Sequence, residues 1–181
     1  MFGIYSTMLK PDLLYIPSTA RHLNPQRDKN LGRNYIKTSY MPTDGVCVKA
    51  VFIPIIDNEH WFLIVCDLEM KTNYILNSLR PKDIRADTEL AAEVVTNVFQ
   101  ILCRSKGYKH LVGVPLAKFS TLTVPQQQNL FDCGVHVLKW LEAGRNRGLW
   151  EDKSNFKALA GFRKDVALKL LRWQENNRKA Y

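Results

Sequence analysis

The chain has 181 residues, 46% of them hydrophobic and 24% charged, with a formal net charge of +9. That length and balance suit one globular domain spanning residues 1–181 with a core of its own. No stretch approaches the ~18 uninterrupted apolar residues of a membrane span, so no membrane association is expected.

The basic charge permits contact with nucleic acid or with an acidic protein. It is spread along the chain, however, and its densest clusters, Arg21 to Arg33 and Arg145 to Arg147, are short. No zinc-finger or RNA-binding signature accompanies it, so nucleic acid is not the expected partner. The four cysteines, Cys47, Cys66, Cys103 and Cys133, show neither a C-x-x-C pair nor zinc-ligand spacing. With no basic segment leading into an apolar run at the N-terminus, a reducing, intracellular setting is expected. Cys66 and Cys103 lie inside apolar runs and read as core.

Taken in chain order, Met1 to Asn30 reads as irregular structure, with Pro11, Pro17 and Pro25 among aromatics and polar residues. Residues 46–56 read as a β-branched, apolar strand carrying Pro54 near its end. Asp57-Asn58-Glu59 is a turn signal. Residues 60–68 form a second strand, apolar almost throughout and so covered on both faces. Residues 72–79 form a third. A hairpin centred on Glu69-Met70 joins the last two and sets His60 beside Asn77, facing the same way.

Beyond Pro81, a helix is expected from Asp87 or Thr88 to about Ser105. Its apolar face would carry Leu90, Val94, Val98, Ile101 and Leu102. Phe119 to Val124 reads as a further strand. Cys133 to Ala143 reads as a buried helix stopped by Gly144. Asn155 to Asn176 reads as a final amphipathic helix or pair of helices, carrying Phe156, Leu159, Phe162, Val166, Leu170, Leu171 and Trp173. Clustered strands with helices to either side make an α+β architecture.

The chemistry concentrates in Asp132-Cys133-Gly134. A cysteine at the head of a buried helix meets unpaired backbone N–H groups and the positive end of the helix dipole. Both favour the thiolate, which is the nucleophilic form. Such a cysteine is, taken alone, more often core, but Asp132 and Gly134 suit a helix start, and Gly134 also admits a close substrate backbone. His60 is the candidate general base and Asn77 its orienter, the side-chain oxygen accepting the ring N–H. His136 is a weaker rival for the base, because its offset from Cys133 points it along the helix. His22 and His110 carry no supporting context. Gln127 is a candidate oxyanion donor beside the Cys133 backbone N–H, and Trp61 a candidate wall of a substrate channel.

In this order and spacing the chain resembles the catalytic domain of the Ulp/sentrin-specific proteases, cysteine proteases of SUMO and related ubiquitin-like proteins. The resemblance is carried by Phe52-Ile53-Pro54-Ile55 through His60-Trp61, Asp67, Asn77-Ser78, Gln126-Gln127 through Asn129, and Asp132-Cys133-Gly134-Val135. It implies a papain-like, adenovirus-protease-like fold with a small mixed central sheet flanked by helices. It implies that Cys133 attacks the carbonyl after a C-terminal Gly-Gly, with His60 as partner, position 77 orienting His60, Gln127 at the oxyanion and Trp61 lining a tunnel for the thin tail. SUMO or another ubiquitin-like protein, free or conjugated, would be the partner. No metal or organic cofactor is implied, and nuclear residence follows only by analogy.

Two departures stand out. Position 77 is Asn where the family usually has Asp, and a neutral amide supports the imidazolium less than a carboxylate does. The Trp-Leu-x-Asp-type segment that opens such domains is not found before Met1-Phe2-Gly3, as expected of an N-terminally shortened domain or of a fragment of a larger protein, with transposon-derived proteins as one source. Beside an active thiol peptidase, the sequence leaves open a degenerate relative that binds a ubiquitin-like protein but cleaves poorly. It also leaves open a basic, nucleic-acid-associated remnant of a mobile element.

Overall fold

The computed structural model describes residues 13–15, 18–19, 48–57, 59–79, 92–93, 96–97, 100 and 119–178. Six strands form one mixed sheet: β1 (Leu13–Tyr15), β2 (Ser18–Thr19), β3 (Ala50–Asp57), β4 (His60–Asp67), β5 (Thr72–Leu76) and β6 (Phe119–Thr121). The order across the sheet is β1-β3-β4-β5-β6, with β2 also pairing β3. β4 runs antiparallel to β3 and β5, while β1, β2 and β6 lie parallel to their neighbours. The small mixed sheet and flanking helices are the expected α+β arrangement.

The expectation of irregular structure before Asn30 is corrected by β1 and β2. These strands are three and two residues long and gain their extended form from pairing with β3, so local composition gives no warning of them. β1 pairs Ala50 to Phe52 and β2 pairs Ile55 and Ile56. Pro54 falls where the parallel partner changes from one to the other, a position that tolerates a missing backbone N–H.

β3 and β4 turn tightly, with Asp57 opposite His60 and Glu59 in the left-handed region at φ 64°. β4 is buried from Phe62 to Asp67, as an apolar strand covered on both faces should be. β5 ends at Leu76, short of the expected residue 79, because the Asn77 side chain takes the Leu79 backbone N–H at 2.9 Å and begins a turn. Strand β6 likewise stops at Thr121, although Leu122 and Val124 beyond it are buried.

Helix α1 (Cys133–Ala143) packs on β4 and buries Cys133, His136, Val137, Trp140 and Leu141, a stripe at helical spacing. It ends as expected at Gly144, whose φ of 56° suits glycine. The following helix α2 (Arg147–Glu151) is a surprise, since the sequence shows there only a short basic cluster. Its Trp150 is fully buried, donates Nε1–H to the Gly144 carbonyl at 2.8 Å and meets Tyr74 edge-on at 5.7 Å between ring centres. That buried anchor secures a helix too short to persist alone.

A 3-10 turn (Lys153–Phe156) leads into α3 (Leu159–Arg178). Phe162 and Val166 are buried on α3, but Leu171 is 56% exposed and so does not face the core as expected. Ala92, Glu93, Thr96, Asn97 and Gln100 are helical, within the span where a helix is expected. The apolar face proposed for that helix, the cysteines Cys47 and Cys103, and the Arg21 to Arg33 cluster lie outside the described residues.

One core joins sheet and helices: Phe52, Leu63, Val65, Tyr74 and Leu76 from the strands meet Val137, Trp140, Leu141 and Trp150 from α1 and α2. Asp67 ties this core to the chain after α1. It is 4% exposed, accepts the Met70 N–H at 2.9 Å in the β4–β5 turn and receives the Arg145 guanidinium at 3.2 Å.

Candidate active site

Three elements converge on one point: the start of β4, the end of β5 and the start of α1. β4 presents His60 and Trp61 at its first two positions. The β4–β5 register pairs Leu63 with Leu76, so His60 stands opposite residue 79 rather than 77. The expected pairing is therefore offset by two residues, which preserves the face. The imidazole and the amide reach each other diagonally: His60 Nε2 lies 2.7 Å from Asn77 Oδ1.

The Leu79 N–H donates to the same Oδ1, at 2.9 Å. A backbone N–H can only donate, so the amide atom facing it is the oxygen, and His60 Nε2 must carry the proton it shares with that oxygen. Nδ1 is then the ring nitrogen left for the sulfur. The Asn77 carbonyl in turn accepts from Gln126 Nε2 at 3.3 Å.

Cys133 is the first residue of α1 and 4% exposed. Burial acts to raise its thiol pKa. The hydrogen bond with His60, the Trp61 backbone, the charge of His60 and the Gly134 backbone together outweigh burial and hold it below the ordinary thiol value. The structure thus brings together Cys133, His60 and Asn77, far apart in the chain. Trp61 is half-buried, and its Cδ1 lies 3.6 Å from where a Cβ on Gly134 would stand. Indole and helix start therefore form adjoining walls beside the sulfur.

Gln127 is 9% exposed and anchored through both atoms of its side-chain amide. Its Oε1 accepts the Ser78 hydroxyl at 2.7 Å, and one N–H of its amide goes to the Asn129 carbonyl. Its backbone N–H donates to the Ser78 carbonyl at 2.8 Å. Gln127 is thus tied to the residue after Asn77, and the second N–H of its amide remains as a candidate donor to a reacting oxygen.

His136 takes no part. It is 1% exposed, stacked on Phe156 with ring centres 4.7 Å apart and edge-on to Trp140, and burial pushes its pKa down to about 4.

Ser78 and Asn129 had no role assigned from the sequence. Asn129 Oδ1 accepts the backbone N–H groups of Phe131 at 3.0 Å and Asp132 at 2.9 Å, shaping the turn before Cys133. The Asn-x-x-Asp spacing is a legible turn signal. Arg163, paired with Asp132 from α3, has no local signal at all.

Among the described residues, no cluster of His, Cys, Asp or Glu could hold a metal ion, and no helix is long and apolar enough to cross a membrane.

Among solved structures, the chain is similar to the C-terminal Ulp1 protease domain in complex with Smt3, the yeast ortholog of SUMO, at 28% identity and TM-score 0.43, covering 55% of this chain and 42% of that one. It is similar to a de-sumoylating protease at 22% identity and TM-score 0.45, covering 72% and 60%. It is also similar to the Xanthomonas campestris effector XopD bound to ubiquitin, at 23% identity and TM-score 0.42, covering 57% and 47%. The matches to the Ulp1 structures span less than half the length of those chains. No curated protein matches. The family model described as "Ulp1 protease family, C-terminal catalytic domain" matches residues 24–171, most of the chain, and the chain belongs to that family.

Proposed function

We propose that this chain is a catalytic domain that cleaves after the C-terminal Gly-Gly of a ubiquitin-like modifier such as SUMO, by Cys-His-Asn nucleophilic catalysis. The observation that carries the reading is the imidazole of His60, bonded on one side to Cys133 and on the other, at 2.7 Å, to Asn77. The choice of a ubiquitin-like modifier rests on the family.

In this reading the Cys133 thiol passes its proton to His60 Nδ1, and the resulting thiolate forms a C–S bond to the glycine carbonyl carbon while the carbonyl oxygen takes the charge. The Cys133 backbone N–H, at the head of α1, and the second amide N–H of Gln127 receive that oxygen. As the C–N bond breaks, His60 gives its Nδ1 proton to the departing amine. The resulting thioester is attacked by a water that His60 deprotonates, releasing the modifier's carboxylate and returning the thiol. Asn77 holds the ring through Nε2–H, so that Nδ1 stays directed at the sulfur. Trp61 and Gly134 form the slot for the glycine tail, since a side chain at position 134 would narrow it.

The test is a SUMO-tail probe bearing an electrophilic warhead. Labelling of the chain that disappears in Cys133→Ser supports the reading. Absence of labelling at probe concentrations that saturate an active Ulp1-family domain removes it. A second reading, a relative that binds the modifier but cleaves poorly, is favoured by the amide at position 77; it predicts binding of the modifier without labelling.

A further inference from the structure

Asp132 precedes α1 where a carboxylate normally folds back to cap the first N–H groups of a helix. It makes no such bond. Its Oδ2 instead takes the Asn129 side-chain N–H at 2.6 Å, and its Oδ1 pairs with the Arg163 guanidinium of α3. The same guanidinium lies over the Phe131 ring, 5.2 Å from its centre. Phe131 is otherwise well exposed, so Arg163 holds both residues that lead into Cys133.

We propose that Arg163 is a positioning residue of the reaction: it draws the Asp132 carboxylate off the head of α1 and offsets its charge, leaving the Gly134 N–H of that helix to the Cys133 sulfur. The inference rests on the function proposed above. Two physical effects support it. A capping carboxylate at Asp132 accepts from the second or third helical N–H, here Gly134 or Val135, and would compete for the Gly134 N–H that supports the Cys133 sulfur. A neighbouring negative charge also opposes formation of a thiolate, and a paired guanidinium offsets it. Among the described residues, the charged group that bears directly on Cys133 is His60 from β4; Asp132 adjoins Cys133 in the chain before α1, and Arg163 from α3 reaches the site through Asp132.

The experiment measures iodoacetamide alkylation of the Cys133 peptide against pH, read by mass spectrometry, and needs no substrate. In Arg163→Gln the alkylation midpoint rises by about half a pH unit, the size expected for a partly exposed ion pair. Arg163→Met, which keeps an apolar stem beside Phe131, gives the same shift if the Gln variant folds poorly. Arg163→Lys returns the midpoint toward that of the parent. In an Asp132→Asn background, Arg163→Gln no longer raises it. With a SUMO-tail substrate, kcat falls by about threefold to tenfold while KM holds. Midpoints unchanged in both neutral variants, or an equal rise with and without the Asp132 carboxylate, overturn the proposal. A parent chain that turns over no modifier overturns the proposed function instead, and the alkylation series still decides the role of Arg163.

Discussion

His60 Nε2 and Asn77 Oδ1 stand 2.7 Å apart across a diagonal of the β4–β5 hairpin. The Leu79 N–H, bonded to the same oxygen, sets the orientation of the amide and with it the tautomer of the ring. Asn77→Asp preserves both acceptor bonds and adds a negative charge beside the imidazolium, so kcat on a SUMO-tail substrate should rise. Asn77→Ala removes the orienter and should lower kcat by on the order of 10²-fold. An unchanged or lower rate in Asn77→Asp, with Asn77→Ala equally active, would show that position 77 does not orient His60.

The structural bond of Gln127 and its proposed role at the oxyanion can be separated. Ser78 is fully buried and donates its hydroxyl to Gln127 Oε1 at 2.7 Å. Ser78→Ala strips that bond and should cost about 1–3 kcal/mol of stability in urea unfolding, with modest loss of kcat. Gln127→Ala loses the same bond and, on the proposed mechanism, also a donor to the reacting oxygen, so its kcat should fall by a further ~10²-fold. Equal kcat in the two variants would reduce Gln127 to a structural strut.

His136 makes stability fall in acid. Its pKa is held down to about 4 in the folded protein by burial, against 6.5 for the free side chain. Above the unfolded value both states are neutral, and the residue contributes no pH dependence. As pH falls below about 6.5 the unfolded chain binds a proton that the folded chain refuses, so stability declines until about pH 4, by up to roughly 3 kcal/mol. Urea midpoints measured from pH 7 to 4 should show this slope, and His136→Phe, which keeps a ring against Phe156, should flatten it. Parallel slopes in the two proteins would assign the acid loss to other groups.

Legibility followed the length over which each signal is local. Helix α1 was readable to the residue because apolar spacing, a helix-start dipeptide and Gly144 agree within one short segment. The shared face of His60 and Asn77 was legible because turn signals and strand periodicity fix parity, and parity decides which side chains share a face. The hairpin centre at Glu69-Met70 is kept, with Asp67 opposite Thr72, but His60 and Asn77 are not equidistant from it, so they meet across a diagonal and not as a direct pair. Strands β1 and β2 and helix α2 were not legible. The first two exist through pairing with β3, and α2 through the burial of Trp150.

The order of residues along the chain was enough to settle the elements around the site, the face on which His60 and Asn77 lie, and the thiol at a helix start, because each depends on periodicities and end signals a few residues long. What the tertiary structure alone decided is which groups gather around that thiol: the diagonal reach of His60 to Asn77, the bond between Gln127 and Ser78, and the pairing of Asp132 with Arg163. Those relations join segments remote in sequence. Their electrostatics depend on distances and burial that exist only once β4, β5, α1 and α3 have packed together.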